Sequence, residues 1–330
     1  MPDENLDLPG SADIFSAAQA IAERIHRTPL ITSAQIDRIC GAHLFFKCEH
    51  LQKTGAFKAR GASNALCHLP AGTSMVATHS SGNHGAALAW AAAARGLACT
   101  VVMPDTAPLA KRAAVAGYGA EIVLCGPTLQ DREAALRKVV ESTGAHVVPP
   151  FDDSRIIAGQ GTVALEIIEQ SRARGFNPDI VLTPVGGGGL LAGTGLAMAA
   201  MAPEVLVLGA EPAGADDAQR SLRSGTHVTS QTADTIADGL RTTLGQRNFA
   251  LIRETVKDIV TVSEQGIVDA MQLLWTRTKQ LVEPSAAVPL AAVLEHPARF
   301  RDKNVVLVLS GGNMDLERAA SLFAEEATES

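Results

Sequence analysis

Short, β-branched apolar runs alternate with longer stretches of helical apolar spacing through most of the 330 residues, and no other feature constrains the fold as much. The runs predict strands over Leu44–Cys48, Ser74–Thr78, Cys99–Met103, Glu121–Leu124, His146–Val148, Ile180–Thr183, Val205–Ala210, Ile259–Val262 and Val305–Leu309. Between them the spacing predicts helices, for example over Phe57–His68, Asn83–Ala94, Leu109–Tyr118, Leu129–Thr143, Arg155–Arg174 and Leu190–Ala200. Strands joined through helices pair in parallel, so the expectation is an α/β chain with sheets covered on both faces. An opening helix is expected over Ser11–Arg27, because Pro29 disfavours helix at Thr28. The turn-rich stretches Leu69–Gly72 and Val148–Asp153 mark the best boundaries. They divide the chain into a small domain, 70–153, inserted in a larger one formed by 1–69 and 154–330.

Composition narrows the class of partner. The chain is 46% apolar and 19% charged, which suits a globular protein, and its net charge of −7 disfavours nucleic acid or an anionic membrane. Cys40, Cys48, Cys67, Cys99 and Cys125 are dispersed, without a C-x-x-C pair, and read as thiols of a reducing compartment. The N-terminal residues show no apolar signal-peptide core, and the longest apolar stretch, Leu190–Ala202, is too short to span a bilayer. A cytoplasmic location follows as the expectation.

In open α/β sheets ligands bind beyond the carboxyl ends of the strands, so the segments just after strands carry the chemistry. Four stand out. Lys53-Thr54-Gly55-Ala56-Phe57-Lys58-Ala59-Arg60-Gly61 is a glycine turn opening a helix. The helix dipole and the neighbouring cations Lys53 and Arg60 would disfavour the ammonium form of Lys58, as Schiff-base chemistry requires. Read alone, Lys58 is better taken as an ordinary solvated helix lysine. His79-Ser80-Ser81-Gly82-Asn83-His84-Gly85 offers hydroxyls, an amide and free N–H groups as a donor nest for a carboxylate, where a helix cap would need only one serine. Gly186-Gly187-Gly188-Gly189 joins a strand directly to an apolar helix, an arrangement suited to a phosphate on backbone amides. Ser310, in Leu309-Ser310-Gly311-Gly312-Asn313, is placed to donate to a ring nitrogen or simply to cap a turn. A competing reading takes Gly187-x-Gly189-x-x-Ala192 with Glu211 as a dinucleotide fingerprint, hence an NAD-binding oxidoreductase. It leaves the lysine turn and the serine-asparagine loop unexplained.

The run from Phe45 to Ala62 (FFKCEHLQKTGAFKARGA) and Ser80–Gly85 (SSGNHG) resemble the fold-type II pyridoxal-phosphate enzymes of the serine racemase and threonine dehydratase group. The resemblance extends from Arg27 to Leu316. It implies two parallel-sheet αβα domains of the tryptophan synthase β architecture, the small one inserted in the large. It also implies a covalent bond between Lys58 and the cofactor aldehyde, with Lys58 later the base on one face of the substrate Cα. Phe57 would pack beside the cofactor ring, Asn83 would bond its 3′-oxygen, and Gly186, Gly187, Gly188 and Gly189 would hold its phosphate. Ser310 would face the pyridine nitrogen, with Glu283 close by. A neutral serine there weakens the electron sink and favours prompt loss of a β-substituent or reprotonation over transamination.

Ser81 matches the position that serves racemases as the acid/base on the opposite face of Cα, so racemisation is stereochemically possible. Ser80, Ser81, Asn83 and His84 would cradle the substrate carboxylate. By the same resemblance Glu211, the carbonyl of Ala215 and Asp217 would bind a divalent cation, Mg²⁺ or else Ca²⁺ or Mn²⁺, through hard oxygens. Three positions depart from dedicated serine racemases: Ala56, Ala86 and Thr242. The Gly-Ala-Phe-Lys turn and Val282–Leu290 look more like bacterial 3-hydroxyaspartate dehydratases, and Arg132 would then reach a distal carboxylate. Arg277, Lys279 and Asn313 resemble parts of a nucleotide effector site, and the group usually forms homodimers. The activity so implied is β-elimination from serine, threonine or 3-hydroxyaspartate to a 2-oxo acid and ammonia, with serine or aspartate racemisation as the alternative.

Overall fold

The computed structural model describes residues 6–327. Its strands in chain order are β1 (Leu30–Thr32), β2 (His43–Lys47), β3 (Met75–His79), β4 (Ala98–Pro104), β5 (Glu121–Cys125), β6 (His146–Val147), β7 (Ile180–Pro184), β8 (Leu206–Pro212), β9 (Asp258–Val262) and β10 (Asn304–Val308). The helices are α1 (Ser11–Ile21), α2 (Ala34–Cys40), α3 (Lys58–Cys67), α4 (Asn83–Ala93), α5 (Leu109–Gly117), α6 (Leu129–Thr143) and α7 (Ser154–Ala173). They continue as α8 (Gly189–Met201), α9 (Asp217–Ser224), α10 (Gln246–Thr255), α11 (Glu264–Thr278), α12 (Pro284–Glu295), α13 (Pro297–Phe300) and α14 (Leu316–Ala327). A six-stranded sheet has the order β1-β2-β10-β7-β8-β9, and a four-stranded sheet the order β5-β4-β3-β6. All neighbours are parallel except β1 and β2.

Strict alternation covers both faces of the larger sheet. On β10, Val305 and Leu307 pack with α11 and α12, whereas Val306 and Val308 face the core of α1, α7, α8 and α10. The smaller sheet is sandwiched likewise, with Val76, Val101 and Met103 toward α3 and α4, and Ala77 and Val102 toward Leu136 and Val139 of α6. Two glycines let helices cross at backbone contact. A Cβ on Gly159 would stand 2.6 Å from Gly61 Cα, and one on Gly193 2.6 Å from Gly161 N. Helices α3, α7 and α8 therefore stack as one block behind the larger sheet.

The expected strands all form, each within two residues of its expected ends. Two differences have local causes. The edge strand β1 is three residues long, too short for a periodic signal. Helix α1 stops at Ile21 rather than Arg27, because Gln52 takes both backbone groups of His26: its Oε1 accepts from His26 N (2.8 Å) and its Nε2 donates to His26 O (2.7 Å).

Candidate active site

The lysine turn follows β2, and the serine loop follows its neighbour β10, so the two leave the sheet side by side. They stay paired beyond it. Phe57 N donates to Ser310 O at 3.0 Å, Gly312 N donates to Gly55 O at 2.9 Å, and Ala56 forms an antiparallel bridge with Gly311. Thr54 and Gly55 make the turn with positive φ of 61° and 73°, and Lys58 then opens α3. Its amine lies deep in the protein and donates to Pro150 O at 2.7 Å. Burial pushes it down to about 8, with no carboxylate beside it to restore the charge. Local cations do not contribute as expected: Arg60 turns away to a bidentate pair with Glu49 (2.8 and 2.7 Å) and to Glu166 (2.7 Å).

The loop after β3 leads into α4, whose first turn presents free N–H groups. Ser80 Oγ accepts from Gly82 N at 3.1 Å. Asn83 Nδ2 donates to Glu283 Oε1 (2.7 Å) and its Oδ1 accepts from Asn313 Nδ2 (2.9 Å), which leaves one amide hydrogen for another acceptor. Glu283 is buried, and burial pushes it up to about 7. The His84 side chain turns to the backbone. Burial, with Lys58 second, pushes it down to about 3, so the ring is neutral; its Nε2 lies 3.2 Å from Val148 O and must carry the proton. Nδ1 is then only an acceptor, and the group of His84 able to serve a carboxylate is its backbone N–H.

The glycine tetrad runs from β7 into α8, with Gly188 at φ +89°. A Cβ on Gly187 would lie 2.2 Å from the Phe151 ring, and one on Gly188 2.4 Å from Leu244 Cδ1. Only glycine fits between that backing and the space in front, as an amide cradle for a phosphate requires.

One cavity is lined by Phe57, Lys58, Ser80, Ser81, Asn83, His84, Arg132, Gly186, Gly187, Gly188, Gly189, Glu283 and Ser310. All the residues expected at the cofactor and substrate site thus meet in one place. Arg132 donates to Thr128 O at 3.4 Å, and among the described residues it has no ion-pair partner. His79 shares this wall, pushed down to about 4 by burial and then by Arg132. The sequence reading missed Phe151, Gln160 and an ion pair between Lys111 of α5 and Asp238, all of which line the cavity. Phe151 lay in view as a boundary residue. The ion pair has no local signal, because its partners are 127 residues apart.

Glu211, near the end of β8, forms a separate cluster with Ala215 and Asp217 just beyond it. Glu211 Oε1 accepts from Gln219 N (2.7 Å), and Asp217 accepts from Leu244 N (2.6 Å) and Gln231 Nε2 (2.6 Å). Burial pushes Asp217 up to about 6 and Glu211 well above the usual carboxylate range, with Asp217 adding to the rise at Glu211. Glu211 is therefore buried away from the glycine cavity, which removes the ribose-binding acid of the dinucleotide reading. Asn313 borders a cavity of about 550 Å³ behind Asn83 and Glu283, whereas Arg277 lines a separate groove with Gln35, Arg38 and Ile39. No helix among the described residues is long and apolar enough to cross a membrane.

A buried amine that loses its proton more readily than a free lysine, a loop of donors and a glycine turn of the kind that can take a phosphate share one cavity, an arrangement suited to a carbonyl-cofactor enzyme. The chain belongs to the pyridoxal-phosphate dependent enzyme family, whose model matches residues 21–311. It is 44% identical to a β-hydroxyaspartate dehydratase of Paracoccus denitrificans over 313 residues, 94% of this chain and 98% of the relative. It is also 44% identical to a serine racemase of Dictyostelium discoideum, covering 94% of this chain and 97% of that one. The crystal structure of a T.th. threonine deaminase superposes with a TM-score of 0.90 at 48% identity, covering 93% of this chain and 99% of the other.

Proposed function

We propose that the protein eliminates water from a 3-hydroxy-amino acid to give an enamine, whose imine tautomer takes up water and hydrolyses to the 2-oxo acid and ammonia. Bound pyridoxal phosphate supplies an electron sink that acidifies the substrate Cα–H. The residues described above supply the rest. The Gly186–Gly189 amides hold the phosphate, Asn83 the 3′-oxygen and Ser310 the pyridine nitrogen, with Phe57 against the ring. The hydroxyls of Ser80 and Ser81, the amide of Asn83 and the first-turn N–H of His84 hold the substrate carboxylate. Lys58 Nζ takes the Cα proton, and the β-hydroxyl leaves. Arg132 takes a distal carboxylate, which favours 3-hydroxyaspartate over threonine. The segment 70–153 carries the carboxylate loop and Arg132, and in this reading it closes over the substrate as a mobile unit.

The observation that carries the proposal is the Lys58 amine, pushed down to about 8 and, among the described residues, hydrogen-bonded only to a carbonyl, on the same cavity as the glycine tetrad. A panel of L- and D-serine, L-threonine and 3-hydroxyaspartate, scored for 2-oxo acid and ammonia, tests it. Release of 2-oxo acid from none of them, with cofactor bound, would overturn it.

Ser81 supports a second reading, because it lines the same cavity as Lys58. Protons delivered from both faces of Cα would invert serine or aspartate, and chiral analysis of recovered substrate separates this from elimination. The cytoplasmic location, the homodimer and the nucleotide effector belong to the proposal, as does a divalent cation on Glu211, Asp217 and the Ala215 carbonyl. The oxygen-only donor set suits Mg²⁺, Ca²⁺ or Mn²⁺.

A further inference from the structure

A glycine loop can turn either its carbonyls or its amides toward a cavity, and only the second binds an anion. Within a trans peptide the C=O and N–H point in opposite directions, so the carbonyl of Gly187 fixes the direction of the Gly188 N–H. In this protein that carbonyl is held from behind. Asn248 Nδ2 donates to Gly187 O at 2.6 Å, and Gly245 N donates to it at 3.1 Å. Both partners lie at the start of α10, outside the cavity lining. The same Asn248 amide reaches Phe151 O at 3.3 Å, on the segment whose ring backs Gly187 and whose Pro150 carbonyl accepts from Lys58.

Asn248 is fully buried, and its two acceptors are both carbonyls, so the amide has one orientation that satisfies them. That orientation leaves Oδ1 buried without a partner among the described residues. An unpaired buried acceptor costs free energy, and the fold accepts that cost to keep Nδ2 on the loop.

We propose that Asn248 is a positioning residue: it holds the Gly187–Gly188 peptide with its N–H toward the cavity and so sets the affinity for the cofactor's phosphate. This rests on the glycine tetrad being the phosphate site. Neither Asn248 nor its partner amide touches the cofactor in this account; both act through Gly187.

The test compares pyridoxal phosphate with pyridoxal, which keeps the aldehyde and lacks the phosphate. Each is titrated into apoprotein and followed by absorbance, for the wild type, Asn248→Asp and Asn248→Ser. Aspartate preserves size but sets an acceptor against two carbonyls, and serine is small enough to be accommodated without strain. The expected result is about a tenfold loss of affinity for pyridoxal phosphate, equivalent to 1.4 kcal/mol, with pyridoxal unchanged and a shifted ³¹P resonance for the bound phosphate. Equal losses for both ligands, or no loss in either variant, would overturn the role of Asn248. A wild type that binds both ligands equally would instead overturn the phosphate site itself.

Discussion

Two residues beyond the active lysine, α3 carries a guanidinium with no access to solvent, and its removal gives a decisive test of how the helix is held. Arg60 forms its bidentate pair with Glu49, bonds Glu166, and reaches Thr162 Oγ1 at 3.2 Å. Lys47, also buried, bonds Glu166 at 2.5 Å and Thr28 O at 2.8 Å, so two cations balance two carboxylates. Arg60→Met replaces the stem with similar volume and leaves two carboxylates facing one ammonium. Breaking a buried pair from one side costs roughly 3–5 kcal/mol, because the surviving charge is stranded. Urea unfolding of apoprotein, followed by circular dichroism, should show that loss at pH 7.5. Burial alone would raise Glu49, but Arg60 beside it more than offsets this and holds it below the usual carboxylate value. In the wild type Glu49 therefore contributes stability above its unfolded value, and that contribution is lost as pH falls through the folded one. In the variant only Lys47 and the Thr28 hydroxyl still oppose burial, so Glu49 takes up a proton more readily, and the deficit shrinks as pH falls toward 5. The double variant Arg60→Met/Glu49→Gln should lose less than the single one. A single-variant loss below about 1 kcal/mol, or a deficit independent of pH, would refute the argument.

Four further outcomes follow from the cavity. Lys58→Ala should lower 2-oxo acid formation by roughly 10²-fold or more, measured by coupled assay at saturating cofactor. In the wild type, the rate of cofactor uptake by apoprotein should climb as pH rises to about 8 and level off above it, because only the neutral amine attacks an aldehyde. Arg132→Met should raise KM for 3-hydroxyaspartate by roughly tenfold to a hundredfold, the worth of a charged hydrogen bond, and leave KM for serine within a fewfold. Ser81→Ala should suppress racemisation far more than elimination, read by chiral chromatography.

The strands were legible because a β-branched run flanked by glycine leaves few alternatives, as at Ile180–Pro184 before the tetrad. The cavity lining was legible for a related reason. Ser80, Asn83, Gly188 and Ser310 all sit within a few residues of a strand's carboxyl end, where α/β topology places ligands, and Lys58 opens the first α-helix after β2. What the sequence hid is of two kinds. Contacts between distant segments, such as Lys111 with Asp238 or Asn248 with Gly187, leave no local pattern. The direction of a pKa shift was legible at Lys58 but its cause was not, since the sequence shows that Arg60 is near while only the fold shows that Glu49 has claimed it. His84 illustrates the same limit: its place in the loop is plain, but its tautomer is set by Val148 O, 64 residues away.

The acidic cluster after β8 permits a prediction whose two halves have opposite signs. Glu211 and Asp217 are both buried, and their hydrogen-bond donors are neutral: the amides of Gln219 and Leu244 and the side chain of Gln231. Arg220, the cation whose charge reaches Asp217, is committed to Asp216 at 2.7 Å. Burial raises both carboxyls, and at Glu211 the neighbouring charge of Asp217 adds to the rise. A divalent ion would supply the missing charge. Mg²⁺ at a hundred times its dissociation constant would then stabilise the folded chain by about 2.7 kcal/mol, visible as a rise in Tm. Asp217→Asn keeps the acceptor for Leu244 N, and Gln231 can turn its amide over to suit the new group. That variant should melt higher than the wild type without metal, since one uncompensated charge is gone, and should no longer respond to Mg²⁺. A metal-free variant less stable than the wild type, or one that keeps its full Mg²⁺ response, would show that the cluster is an ordinary buried hydrogen-bond network and that any cation binds elsewhere.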